Sequence, residues 1–206
     1  MIIVGVDGVD YSIAKDYFDV KHLEVDIEPK HTATIWTSYF TGLTPQEHGI
    51  LSWKPVVYKL PDLDYIWNHG DWTVFAAPVS MPPFSRKYTT SDYHMKDEEN
   101  AWETELNEFI DCYEKHESDH FLGVIRCIDT ASHVRQKEVV LKWYEKVFEL
   151  MKSTKFDLMM SDHGFWGFGR RKGDDDHSPD GIVKGVDVKI ASELIQYMKN
   201  LKASIK

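Results

Sequence analysis

Cysteine is scarce in this sequence, and its scarcity argues against two kinds of small structural site. The 206 residues contain two cysteines, Cys112 and Cys127, and neither lies in a CxxC or Cys/His pair. A disulfide scaffold and a cysteine-based zinc site are therefore not expected, because both need cysteines in pairs. We expect the protein to work in a reducing compartment, the cytoplasm.

An excess of positive charge is also missing. Lys and Arg number 24 against 34 Asp and Glu, which gives a formal net charge of −10. No stretch of the chain forms a basic stripe. A long nucleic acid held through its phosphates is therefore not expected as a partner, because such binding needs a basic surface.

Long hydrophobic runs and linkers are absent as well. The N-terminal stretch MIIVGVDGVD has no basic residue, and its apolar run is too short for a signal peptide or a membrane span. No membrane partner is expected. Because no repeat and no Pro/Gly-rich linker divides the chain, it suits one domain over residues 1–206. The sequence does not indicate an oligomeric state.

Apolar runs of strand length alternate with amphipathic segments of helix length. Continuous apolar runs with β-branched residues are typical of strands that are covered on both faces. The predicted strands are 2–6, 72–79, 121–128 and 156–160, and the predicted helices are 98–116, 131–152 and 187–202. The alternation predicts an α/β fold, a three-layer sandwich with a mainly parallel central sheet.

Carboxylates and imidazoles follow three of these strands. In α/β folds the ligand crevice lies beyond the carboxyl ends of the strands, so such side chains are expected to converge. They are Asp7, Asp129, His133, Asp162, His163 and, in the next loop, His177. Each alone is weak evidence, but together they predict two divalent metal ions. Zinc fits best, with manganese or iron as alternatives, because mixed carboxylate and imidazole ligands suit these metals better than Mg²⁺ or Ca²⁺.

A candidate nucleophile precedes a short predicted helix in the stretch HTATIWTSYFTGLTPQEHGI, residues 31–50. The helix is predicted over Ile35 to Phe40, with Thr32 and Thr34 just ahead of its first turn. A hydroxyl at a helix N-terminus lies where an anion is favoured, and an alkoxide bound to a metal there would be an activated nucleophile. The alternative is that both threonines are simple N-caps.

Five motifs in this order resemble the alkaline phosphatase superfamily. They are VGVDG, T-x8-TGLTPQEHGI, DTASH, SDHG and HSPDGI, and they extend from Asp7 to Ile182. The type I phosphodiesterases and nucleotide pyrophosphatases, with their archaeal-type relatives, are the most similar branch. The resemblance implies an alkaline phosphatase-like core and hydrolysis of phosphate esters. This sequence departs from the branch in having Thr34 where a proline is usual. It also lacks the long insertions that build substrate caps.

The resemblance also implies a role for each site residue. One metal would be bound by Asp7, Thr32, Asp162 and His163, and the second by Asp129, His133 and His177. Thr32 is implied as the nucleophile that forms a phospho-threonine intermediate, since its distance from TGL matches the motif.

Residues that contact the substrate are predicted less directly. The Ala33 backbone N–H is a candidate oxyanion donor at the helix start, and Lys54 is a candidate to replace an Asn that the branch uses to bind phosphate. Aromatic rings could stack on a base or belong to the core or rim: these are Trp36, Tyr39, Trp53 and Tyr58. Arg170, Arg171 and Lys172 either meet a distal phosphate or form a solvated loop.

The leading hypothesis is a two-metal phosphodiesterase or pyrophosphatase that acts on a small nucleotide-like substrate. A phosphomonoesterase is the first alternative, because the core of the superfamily is shared and the discriminating groups lie in variable loops. A phosphomutase normally needs a large cap domain, for which 206 residues leave little room. A non-catalytic phosphoryl-binding module is disfavoured by the complete ligand set.

Overall fold

The computed structural model of the protein describes residues 1–52, 63–79, 88–89, 99–169 and 176–205. In these ranges the strands are β1 Ile2–Val6, β2 Lys21–Glu24, β3 Trp72–Phe75, β4 Tyr88–Thr89, β5 His120–Ile125, β6 Leu158–Met160, β7 Gly164–Phe165, β8 His177–Ser178 and β9 Asp180–Lys184. The α-helices are α1 Tyr11–Ala14, α2 Thr32–Thr41, α3 Pro45–His48, α4 Glu99–Lys115, α5 Cys127–Val134, α6 Lys137–Ser153 and α7 Ala191–Ser204.

Seven of the described strands form one sheet, in the order β2-β9-β6-β1-β5-β3-β4. β1 lies at its centre and pairs in parallel with both β5 and β6. β3 pairs in parallel with β5 and β4, whereas β9 pairs antiparallel with β2 and β6. The predicted mainly parallel sheet is confirmed, and an antiparallel pair that the sequence reading did not identify is added at one edge.

Two hydrophobic cores cover the two faces of this sheet. Successive residues of a strand point to opposite faces, and β1 follows this rule: Ile3 lies in the first core, whereas Val4 and Val6 lie in the second. The first core includes the buried hydrophobic residues of α2 and α7, and the second includes those of α4, α5 and α6. This arrangement confirms the three-layer sandwich.

The helix predicted over 131–152 is wrong in its extent. The structure has two helices there, α5 and α6, which meet at Arg135 and Gln136. α5 begins directly after β5, so Asp129 and His133 lie one turn apart on a single short helix. The other two predicted helices are observed within a few residues of their expected ends, as α4 and α7.

No helix within the described ranges is both long enough and apolar enough to cross a membrane.

Candidate active site

The central strands bring the predicted ligands to one edge of the sheet. Asp7 follows β1 and donates its backbone N–H to the Ile125 carbonyl of β5 at 2.8 Å. Asp162 follows β6, the other neighbour of β1, and its Oδ1 accepts the Gly8 N–H at 3.2 Å. Parallel pairing thus aligns the carboxyl ends of the strands, and the residues that follow them come into contact.

Asp7, Asp162 and His163 form a first triad, which is buried. One potential ligand atom from each residue lies within 4.8 Å of the others. The His163 Nε2 is 3.2 Å from Asp162 Oδ2 and 3.8 Å from Asp7 Oδ1. All three residues are at most 2% exposed.

Asp129, His133 and His177 form a second triad with the same spread of ligand atoms. The His133 Nε2 lies 3.5 Å from Asp129 Oδ1 and 3.4 Å from the His177 Nε2. Asp129 and His133 are half-buried, so this triad is closer to the surface than the first.

The two triads are parts of one site. The His163 Nε2 of the first triad is 3.8 Å from Asp129 Oδ1 of the second. The His163 and His177 rings stack with their centroids 3.6 Å apart. Asp129 and His163 therefore lie where the two triads meet. The triads are close enough to act on one substrate.

Backbone carbonyls fix the orientation of two of the imidazoles. The Nδ1 of His163 lies 3.2 Å from the Gly164 carbonyl, and the Nδ1 of His177 lies 2.8 Å from the Lys30 carbonyl. Because a carbonyl only accepts, each Nδ1 carries a proton, and in the neutral ring Nε2 then has a lone pair. Metal-binding histidines commonly have such a partner behind the ring, which orients the ligand nitrogen toward the ion.

The carboxylates of the site lack protein partners at several atoms. Within the described residues Asp7 Oδ1, Asp129 Oδ1 and Asp162 Oδ2 are buried and make no hydrogen bond. A buried polar group without a partner costs roughly 1–3 kcal/mol, and more if it is charged. Carboxylate oxygens without hydrogen bonds, beside Nε2 lone pairs, are ligand atoms that a divalent cation would bind. These residues therefore fit the predicted metal ions.

The pKa values of these groups reflect the same crowding. Burial, followed by the charges of Asp162 and Asp129, raises the pKa of Asp7 well above its usual value. Burial also raises the pKa of Asp129 and of Asp162 to about 7. The pKa of His163 is lowered by burial and by the neighbouring His177. A bound cation would oppose the upward shifts of the three carboxyl groups and reinforce the downward shift of His163, since it favours ionised carboxylates and neutral imidazoles.

Thr32 lies beside the first triad. It is the first residue of α2, it is half-buried, and its Oγ1 is 3.3 Å from the His163 Nε2. Thr34 is fully buried inside the same helix turn. Of the two threonines, Thr32 is the one whose hydroxyl contacts a ligand of the site.

The start of α2 corrects two expectations. The helix begins at Thr32, not at Ile35, and its N-cap is His31, whose Nδ1 accepts the Ala33 N–H at 3.1 Å. Neither threonine is therefore the N-cap. The Ala33 N–H, which was expected to be an oxyanion donor, is already engaged by this cap. The sequence reading did not identify His31, because histidine is not among the preferred N-cap residues.

Trp36 and Tyr39 do not form a wall for a substrate. Both are fully buried in the first core. A Cβ at Gly5 would lie 2.6 Å from the Trp36 ring, so glycine at this position lets the ring pack flat against the sheet. The ring stacks on Phe40 with centroids 5.2 Å apart. Of the two alternatives for these residues, the core role is the one observed, and the stacking role is wrong. Trp53, Lys54, Tyr58, Arg170, Arg171 and Lys172 lie outside the described residues.

Phe165 is a site residue that the sequence reading missed. Its ring meets the edges or faces of His133, His163 and His177 at centroid distances of 4.8, 5.5 and 5.4 Å. Phe165 pairs with His177 across the β7–β8 ladder. The apolar ring therefore packs against three imidazoles and limits their rotation. Its position directly after the SDHG motif was the available signal.

The solved structures include similar folds. Murine ectonucleotide pyrophosphatase/phosphodiesterase 5 (ENPP5) matches 80% of this chain and 57% of its own, with a TM-score of 0.51 and 16% identity. The chain has an alkaline-phosphatase-like fold. An inactive variant of ENPP5, with one threonine replaced by alanine and in complex with AMP, matches 80% of this chain and 56% of that one, with the same TM-score and identity. No family model and no curated protein match the sequence.

The alkaline-phosphatase-like fold expected from the motifs is thus confirmed by the architecture. The chain spans a little more than half the length of ENPP5. At 16% identity the likeness shows the fold alone, so the chemistry has to be argued from the residues of the site.

Proposed function

We propose that this chain is a two-metal phosphohydrolase that cleaves phosphodiester or pyrophosphate bonds of small nucleotide-like substrates. One observation carries the proposal. Two triads of carboxylate and imidazole ligands lie side by side, and the Thr32 hydroxyl contacts the first of them at 3.3 Å. A nucleophilic hydroxyl beside two adjacent cation sites is the arrangement used for in-line displacement at phosphorus.

The two similar solved structures support this chemistry by their enzyme class and by the ligand that one of them binds. ENPP5 is a nucleotide pyrophosphatase/phosphodiesterase, and its threonine-to-alanine variant is inactive and binds AMP. A threonine in this chain, Thr32, occupies the position that the motifs assign to the nucleophile. A small nucleotide is accordingly the substrate class that we infer.

The metal ions would be divided between the two triads. Asp7, Asp162, His163 and Thr32 would hold one, and a second set would hold the other: Asp129, His133 and His177. Zinc suits these oxygen and nitrogen donors best, with manganese or iron as alternatives. When bound, the pair of ions would lower the pKa of the Thr32 hydroxyl and offset the charge that develops on the phosphoryl oxygens.

The protein residues then perform a two-step displacement. Thr32 Oγ1 loses its proton and forms a bond to phosphorus, while the bond from phosphorus to the leaving oxygen breaks and that oxygen takes up a proton. Water next attacks the phospho-threonine, releases the phosphoryl product and restores the Thr32 hydroxyl. Phe165 and the carbonyls behind His163 and His177 hold the imidazoles in place during both steps.

Metal analysis and a comparison of two substrates test the proposal. We expect two equivalents of a transition metal per chain, and a higher kcat/KM for bis-nitrophenyl phosphate than for nitrophenyl phosphate. Absence of metal, or two equivalents of metal retained after loss of both Asp162 and His163, contradicts the site assignment. A clear preference for the monoester makes the protein a phosphomonoesterase and contradicts the proposed substrate class.

A further inference from the structure

A buried ion pair lies outside the two triads. Glu105 of α4 and Arg126, the residue after β5, are 2% and 6% exposed. The Arg126 Nε donates to Glu105 Oε1 at 2.8 Å. Buried pairs of this kind are weak sources of stability, because the cost of desolvating two charges offsets their attraction. The other contacts of the Glu105 carboxylate show what the pair holds in place.

The Glu105 carboxylate caps the helix that carries the second triad. Its Oε2 accepts the Arg126 backbone N–H at 3.1 Å, and the Cys127 backbone N–H also hydrogen bonds to the carboxylate. Arg126 is the N-cap residue of α5, and its own side chain makes no capping hydrogen bond. A helix N-terminus needs acceptors for its first N–H groups, and here a different helix supplies them.

The capped helix supplies two of the three ligands in the second triad. Asp129 lies in the first turn of α5 and His133 in the last. A shift of the first turn would move both side chains together, because they share one short helix. The ligands of the first triad follow β1 and β6, whose positions are set by sheet pairing.

We propose that Glu105 is a positioning residue for the metal ion of the Asp129–His133–His177 triad. It fixes the N-terminus of α5 from outside, and Arg126 neutralises its charge in the interior. This inference rests on the proposed function, since it requires that the triad binds a metal ion. Loss of the carboxylate therefore weakens the second site and leaves the first unchanged.

Three variants separate this role from general stability. Glu105→Met combined with Arg126→Met removes both buried charges, so the net charge near the site is unchanged and neither member of the pair is left without the other. Glu105→Gln keeps the shape and one acceptor oxygen. Glu103→Gln is the matched control, because Glu103 lies on the same helix but is half-exposed and pairs with Lys146 at the surface.

Each change is tested by Co²⁺ titration in two single-site backgrounds. Asp162→Asn disables the first triad and isolates the second, whereas His177→Ala isolates the first. In the Asp162→Asn background the double variant should bind Co²⁺ about tenfold or more weakly, with an altered visible absorption spectrum of the bound ion. In the His177→Ala background its affinity should change much less, because there the double variant removes only the charge of Arg126 that acts on Asp7. Glu105→Gln should show the same selectivity with a smaller loss, and Glu103→Gln should show neither effect.

The outcomes distinguish this inference from the proposed function. Uptake of no Co²⁺ by the unaltered chain overturns both. Uptake of two ions by the unaltered chain, with equal losses at both sites or no loss at either, overturns the positioning role alone. Selective loss at the second site, with thermal unfolding like that of the Glu103→Gln control, supports it.

Discussion

Thr32 is the residue on which the proposed chemistry depends, and Thr34 provides a matched control two positions away. Thr32→Ala should lower kcat by about a thousandfold or more, because the attacking oxygen is removed. Fold and metal content should change little, since the six carboxylate and imidazole ligands remain. Steady-state kinetics, metal analysis and circular dichroism measure the three properties. If Thr34→Ala is inactive and Thr32→Ala is not, Thr34 is the nucleophile and the motif alignment is wrong.

Gly8 is a second residue whose replacement gives a clear expectation. It adopts a φ of +68°, and a Cβ there would lie 2.7 Å from the Phe165 ring and 2.8 Å from the Asp129 Cα. Gly8→Ala should reduce the free energy of unfolding by about 2 kcal/mol, since both the backbone and the packing are strained. It should also reduce metal content, because Asp129 and Phe165 are displaced.

Gly167→Ala is the control for this prediction. A Cβ at Gly167 would have no heavy atom within 4 Å, so this variant should match the unaltered protein. Urea unfolding and metal analysis compare the two. Equal stability and equal metal content in Gly8→Ala and Gly167→Ala would show that the approach of β1 to α5 is looser than the structure indicates.

At the scale of the elements, His48 joins α2 to the loop after α3. Its Nδ1 accepts the Ile50 N–H at 2.9 Å, and its Nε2 lies 2.9 Å from the Ser38 hydroxyl. Because Nδ1 accepts, the neutral ring carries its proton on Nε2 and donates it to Ser38. Burial lowers the pKa of His48 from 6.5 to about 4. The neutral ring is therefore the form that holds these elements together.

Acid should weaken this junction. As the pH falls below 6.5 the unfolded chain binds a proton at His48, whereas the folded chain does so only near pH 4. The unfolded state is thus favoured, and this group should remove about 3 kcal/mol of stability over that range. His48→Asn, whose Oδ1 can still accept the Ile50 N–H, should lose that part of the pH dependence in urea unfolding. The control is His22→Asn. If the free energy of unfolding depends on pH in the same way in the His48→Asn variant, the control and the unaltered chain, His48 is not the group responsible.

The sequence predicts best those features that depend on neighbours along the chain. Asp7 and Asp162 follow apolar strands directly, so parallel pairing was enough to bring them together. For Trp36 and Tyr39 the sequence left two roles open, because their burial depends on packing against the sheet and, for Trp36, on Gly5. The antiparallel pairing of β9 and the contact of Glu105 with Arg126 have no local signal. They arise from tertiary contacts between distant segments.

For the whole molecule, the proposed metal ions should contribute to stability. Among the described residues, the carboxylates of Asp7, Asp129 and Asp162 each have one buried oxygen that makes no hydrogen bond. Ions that bind only the folded state stabilise it by mass action. Removal with a chelator should lower the Tm by about 10 °C, as measured by calorimetry. Zn²⁺ should restore it, and Asp7→Asn should respond less to either treatment. An unchanged Tm after confirmed removal would mean that the ions do not support the fold.

The charge of the whole molecule should also select the size of the substrate. The net charge of −10 repels a polyanion, whereas two divalent ions would offset the three carboxylates and the Thr32 alkoxide at the site. A small diester meets only the near-neutral site, but a long strand meets the acidic surface as well. We therefore expect kcat/KM for a nitrophenyl nucleotide ester to exceed that for single-stranded DNA by about a hundredfold at low salt.

Salt should narrow this preference if repulsion is its cause. Raising the ionic strength from about 0.05 M to about 0.3 M shortens the Debye length and screens the surface charge. The kcat/KM for DNA should then rise, while that for the small ester should change little because its contacts lie inside the site. Efficient cleavage of DNA at low salt, or a preference that does not respond to salt, would show that the acidic surface does not set the choice of substrate.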